Sequence, residues 1–165
     1  MIQLTLTPEQ LAHADRVARD RDARHKTIGT PNKHKLVADV GGRFNRQGMR
    51  GEKAVAFHYD YPWEGDVGNV GAPDVGPYEV RSIGQRHLSL TLHDTDRSAP
   101  FILVLVQDAT FTLLGWLWKE EGTKPQYWRT DRRSPAYWVP QRDLHRMETL
   151  PPLEELGYER GVYRR

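Results

Sequence analysis

The chain has 165 residues, 38% of them hydrophobic and 28% charged, with a formal net charge of +2 and no cysteine. That length suits one domain with a buried core, and an aromatic content of 10% sets the chain apart from a disordered polypeptide. The lack of cysteine excludes disulfides, thiolate zinc sites and cysteine nucleophiles, so any metal must be held by oxygen or imidazole.

In chain order, Thr7-Pro8-Glu9-Gln10 reads as a helix start, with a Thr cap, Pro at the first helical position and Gln10 completing a capping box. Leu11, Ala14, Val17 and Ala18 make a narrow apolar stripe, and Asp15/Arg19 and Arg16/Asp20 pair along the wet side. The loop formers Gly29, Thr30, Pro31 and Asn32 predict that this helix ends near Arg24. Residues 1–40 are therefore expected to form a basic helical arm packed on one face of a core spanning 41–150.

Residues 11–50 hold ten Lys or Arg against four Asp, a local charge of +6 on a chain of +2. A segment so charged suits phosphate, because neutralising phosphates releases condensed counterions. Lys33, Lys35, Arg43, Arg46 and Arg50 are the candidate nucleic-acid contacts. A solvated helix face is the competing reading of the same charges.

A second helix is expected over 47–59, where Met49, Ala54, Val55, Ala56 and Phe57 alternate with Arg50, Glu52 and Lys53. Residues 64–77 follow as a loop with four glycines. Strands are expected over 78–83 and 87–92, joined as a hairpin at Gly84-Gln85, then over 101–107, 110–118 and 136–139. The run 101–107 is apolar throughout, as in a buried central strand. A helical turn is expected over 141–147, and 151–165 as a loosely held tail. The order is that of a mixed α/β fold.

No apolar run approaches the length of a bilayer span and the N-terminus lacks a signal-peptide pattern, so a cytoplasmic protein without a membrane partner is expected. The motifs GxxxxGK[ST], GxSxG and HExxH do not occur, against a P-loop NTPase, an elbow-type serine hydrolase and a zincin. His93-Asp94-Thr95-Asp96 reads as a hairpin loop between strands, with a second metal cluster as the competing reading, and His25 and His34 as parts of the charged surface. Trp116, Trp118, Tyr127, Trp128, Tyr137 and Trp138 lie among cations, as in a base-stacking surface, or else cover the sheet.

The chemistry concentrates in Pro73-Asp74-Val75-Gly76-Pro77-Tyr78-Glu79-Val80-Arg81. On a strand, Glu79 and Arg81 share one face, and the Gly76-Pro77 bend can return Asp74 to Glu79. Two converging carboxylates without soft ligands suit Mg²⁺ or Mn²⁺. The alternative is a surface ion pair, worth less than about 1 kcal/mol.

Pro73-Asp74 followed by Glu79-Val80-Arg81 resembles the signature of the PD-(D/E)XK, restriction-endonuclease-like nuclease superfamily. Gly48-Met49-Arg50-Gly51-Glu52-Lys53-Ala54 is similar to the helix that brings a further Glu to the site in many members, and the likeness covers about 45–145. The resemblance implies a restriction-endonuclease-like core with a mixed central sheet flanked by helices. It also implies an Mg²⁺- or Mn²⁺-dependent nuclease acting on nucleic acid, DNA being expected. Asp74 and Glu79 would hold the metal, Glu52 would hold it directly or through water, and Arg81 would take the lysine position. Asp66, thirteen residues before Glu79, competes with Asp74 by spacing but lacks the preceding proline. A catalytically inactive nucleic-acid-binding module on the same fold is the alternative. Oligomeric state, homodimer included, stays open.

Overall fold

The structure is a computed structural model and describes residues 1–28, 38–65, 72–131 and 134–158. The first strand, β1 (Ile2–Thr5), leads into helix α1 (Pro8–Ile28). The capping box is present: Thr7 N–H donates to Gln10 Oε1 at 2.8 Å and Gln10 N–H to Thr7 Oγ1 at 3.3 Å. Ala14, Val17 and Ala18 form the buried stripe that the sequence indicates.

Helix α2 (Ala38–His58) starts nine residues before the expected position and α1 runs four residues past Arg24. Gly41 and Gly42 weaken the local helix signal by about 1 kcal/mol each, which is why residues 38–46 read as loop. Tertiary bonds offset this: Asn45 Nδ2 donates to Asp22 Oδ1, and Arg50 holds Asp15 through two 2.8 Å bonds. Asp15 therefore pairs across helices with Arg50, where a pairing along α1 with Arg19 was expected.

The main sheet comprises β1, β2 (Glu79–Ile83), β4 (Pro100–Gln107) and β5 (Thr110–Trp118), in the order β1-β5-β4-β2. Only the β2–β4 pair is parallel; β1–β5 and β4–β5 are antiparallel. Residues 101–105 of β4 are fully buried, as expected of a central strand. A second, antiparallel sheet has the order β3-β7-β6, from β3 (Leu90–Leu92), β6 (Trp128–Arg129) and β7 (Ala136–Val139). One further helix, α3 (Lys119–Gly122), follows β5.

The expected hairpin of 78–83 with 87–92 does not form, because β2 pairs with β4 and β3 belongs to the second sheet. Parallel pairing requires a crossover, and the chain after Ile83 makes it by carrying Leu90 and Leu92 across the sheet face. The sheet is thus covered on both sides. Ile102, Val104 and Val80 face α1 and α2 with Ala54 and Val55, whereas Phe101, Leu103 and Leu105 meet Leu90, Leu92 and Val139.

Residues 1–28, expected as a peripheral arm, contribute an edge strand and core side chains to this packing. Residues 151–158 also depart from a loose tail: Leu153 is buried and Tyr78 Oη donates to the Pro151 carbonyl at 2.7 Å. The helical turn expected over 141–147 is two 3-10 turns, Gln141–Asp143 and Met147–Thr149. Among the described residues, no helix is long and apolar enough to cross a membrane.

Candidate metal centre

The stretch around Asp74 is folded by a tight turn. Val75 and Tyr78 exchange backbone hydrogen bonds of 3.0 and 2.9 Å around Gly76-Pro77, with Gly76 at φ +55°, a conformation that favours glycine. This turn returns Asp74 to the start of β2, where its Oδ2 accepts the Val80 N–H at 2.8 Å. The Asp74 and Glu79 carboxyls consequently act on one another directly.

Glu52 arrives from α2. At Gly51 the helix lies so close to β2 that a Cβ there would fall 1.9 Å from Ser82 Oγ. This approach puts the neighbouring Glu52 into the interior, 6% exposed, where Trp63 Nε1 donates to its Oε2 at 3.2 Å and Arg21 stands 3.8 Å from its Oε1. Glu52 thus feels the charges of Asp74 and Glu79 at the start of β2.

Electrostatics follow from that crowding. Burial pushes Glu52 well above the ordinary carboxylate range; the Asp74 and Glu79 charges add to the shift, while Arg21 and the Trp63 bond oppose it. Asp74 is raised by burial, against the Val80 N–H and the charges of Arg81 and Arg21. Glu79 is raised to about 7 by burial and by Asp74, with Arg81 and Arg97 opposing.

Arg81 shares a face of β2 with Glu79, as the period-2 pattern predicts. Its guanidinium lies 3.8 Å from Glu79 Oε2, donates to Asp96 Oδ1 at 3.0 Å and covers the Phe101 ring at 4.9 Å. Asp96 is itself held, its Oδ2 accepting the His93 N–H at 2.8 Å. Arg97, the next residue, stands 3.7 Å from Glu79 Oε1.

Oxygen donors on buried, mutually repelling carboxylates suit a hard divalent cation. Among the described residues no three His, Asp or Glu side chains form a ready-made cage. Mg²⁺ does not need one, since it keeps several waters and takes one or two carboxylates. Asp74 and Glu79 are the residues that would hold such an ion, and Glu52 is the further carboxylate that acts on both.

Sequence reasoning missed Arg21, Trp63 and Arg97, and weighed Asp96 only as part of a loop or of a second metal cluster. Asp96 and Arg97 carried a weak signal, in the polar loop at 93–97, which reads locally as a turn. Arg21, 31 residues before Glu52, carried none.

The basic candidates separate. Arg43 and Arg46 are exposed and line a shallow cleft of about 160 Å³ with Arg50, Gln47 and Asp108. Arg50 is part-buried and joined to Asp15, and so also braces α2 against α1. Lys33, Lys35 and Asp66 lie outside the described residues. Of the aromatics, Trp116 is buried and donates to the Arg146 carbonyl at 3.1 Å, whereas Trp128 is exposed. Comparison of the chain with models of known families, with curated proteins and with solved structures finds no match.

Proposed function

We propose that the protein is a divalent-metal-dependent nuclease of the PD-(D/E)XK type, with a restriction-endonuclease-like core, that hydrolyses phosphodiester bonds of nucleic acid, DNA being the expected substrate. One observation carries the reading: Glu52, Asp74 and Glu79, buried and raised in pKa, act on one another's charge, with Arg81 beside Glu79. Groups so arranged are poised for a cation, since deprotonating all three without one is costly.

A bound Mg²⁺ or Mn²⁺ would supply Lewis-acid polarisation of a phosphoryl oxygen and a lowered pKa for bound water. The chain's own residues do the positioning. Val80 N–H orients Asp74, and the Trp63 indole orients Glu52. A guanidinium is no general base; held by Asp96 and Glu79, that of Arg81 presents positive charge to a phosphate.

The test is cleavage of single-stranded, duplex and branched DNA with and without Mg²⁺ or Mn²⁺. Cutting is expected only with metal, to be abolished by the Asp74→Ala/Glu79→Ala pair and to fall about 10²- to 10³-fold in Arg81→Ala. Metal-dependent cutting that survives the double substitution would sink the assignment.

A second reading, a binding module without catalysis, is favoured by the arginine at position 81. It predicts salt-sensitive DNA binding with no cleavage in either metal. Arg81→Lys separates the two, because a gain of cutting marks a decayed site and a loss marks arginine as the working group.

A further inference from the structure

Next to the carboxylates lies a cleft of about 170 Å³. That is below the ~300–1,000 Å³ of a site enclosing a drug-sized molecule, and it suits a single flat ring. Its lining is mixed and part-exposed: Pro73, Pro77, Leu156 and the aromatic residues Trp118 and Tyr158 stand beside the polar Arg97 and Ser98. Trp118 stands edge-on to Trp116, centroids 6.2 Å apart, and Trp116 is in turn fixed by its bond to the Arg146 carbonyl. An aromatic platform held in this way loses little conformational freedom when a ring lands on it.

The cleft borders the carboxylates without being lined by them. Pro73 immediately precedes Asp74, and Arg97 lines the cleft while standing 3.7 Å from Glu79 Oε1. A chain whose phosphate lies at the carboxylates therefore has a one-ring recess with aromatic residues in its lining nearby, with a guanidinium between. Bases in an intact duplex are stacked on both faces and cannot enter such a recess; an unpaired base can.

We propose that this cleft takes one unstacked nucleobase of a single-stranded or frayed nucleic acid, with Trp118 and Tyr158 as its aromatic support and Arg97 on the adjoining phosphate. The assignment rests on the nuclease reading and names the substrate class that reading leaves open. The recess gives the enzyme a preference for unpaired strands and protects the ring of the nucleotide flanking the scissile bond.

The test measures binding of a labelled oligo-dT, scanned with a single abasic residue, to the whole protein in Ca²⁺, a hard cation for the same oxygen donors. One abasic position is expected to weaken binding about 5- to 150-fold, the range of one base–aromatic stack, while the others change little. Trp118→Ala and, separately, Tyr158→Ala should weaken the intact strand and diminish that position's effect. A blunt duplex should bind less tightly than the single strand. A flat scan on a strand that still binds overturns the base cleft and leaves the nuclease reading standing. A positional effect undiminished in both variants also overturns it, by placing the ring elsewhere. No binding to any strand, together with no metal-dependent cutting, overturns both.

Discussion

At the scale of single residues, the decisive feature is three carboxylates that are harder to ionise in the folded chain than in the unfolded one. Their folded pKa values lie above the unfolded ones, so their joint contribution to stability is complete below about pH 3.8, the ordinary value of Asp74, and is lost as pH rises, the share of Glu79 going as pH passes about 7. The melting temperature of the metal-free protein should therefore fall over that interval. Excess Mn²⁺ should flatten the fall, because the ion binds the deprotonated carboxylates of the native state. Identical curves with and without Mn²⁺ would count against a metal centre.

Glu52→Gln isolates one member of the set. The amide oxygen can still accept from Trp63 Nε1, but the buried charge is gone. Calorimetry at about pH 8 should show a higher melting temperature for metal-free Glu52→Gln than for the unaltered chain, and a smaller gain on adding Mn²⁺. Half of this site is visible from local spacing: Asp74 before a Gly-Pro turn and Glu79 and Arg81 two apart on a strand. Arg21 and Arg97 are not, since nothing near them in the chain announces the carboxylates they face.

At the scale of elements, the site depends on how closely α2 approaches β2. Gly51 permits that approach, and Ser82 Oγ lies opposite it, buried without a hydrogen-bond partner among the described residues. Gly51→Ala should cost about 1–3 kcal/mol in chemical denaturation and weaken Mn²⁺ binding by shifting Glu52. Ser82→Ala alone should be close to neutral, because it removes an orphaned hydroxyl. Combined with Gly51→Ala it should recover part of the loss, the signature of coupled neighbours in a double-mutant cycle. Additive losses would show that the two elements do not meet at this point. The periodicity of 47–58 marks α2 as a helix with Glu52 beside its apolar positions, but gives no hint of which strand it lies upon.

At the scale of the whole molecule, the N-terminal segment is part of the fold. β1 pairs along β5, while Ala14, Val17 and Ala18 of α1 enter the same core as Ala54 and Ile102, and Arg21 reaches Glu52. Deleting residues 1–28 should therefore abolish cooperative thermal unfolding, together with any Mn²⁺-induced stabilisation. A truncated chain that melts as sharply as the whole would restore the picture of a dispensable arm. What the sequence determined by itself was local: the Thr7–Gln10 cap, the buried run in β4, the alternation along β2 and the turn that sets Asp74 beside Glu79. These follow from bond geometry and from the periods of helix and strand, which act over a few residues. Only the tertiary structure decided that β2 would pair in parallel with β4 and not with the segment after Gly84, and that Arg21 would face Glu52 and Arg97 would face Glu79. The reason is that pairing partners are chosen by which complete arrangement buries every apolar face at once, and no short window of the chain contains that comparison.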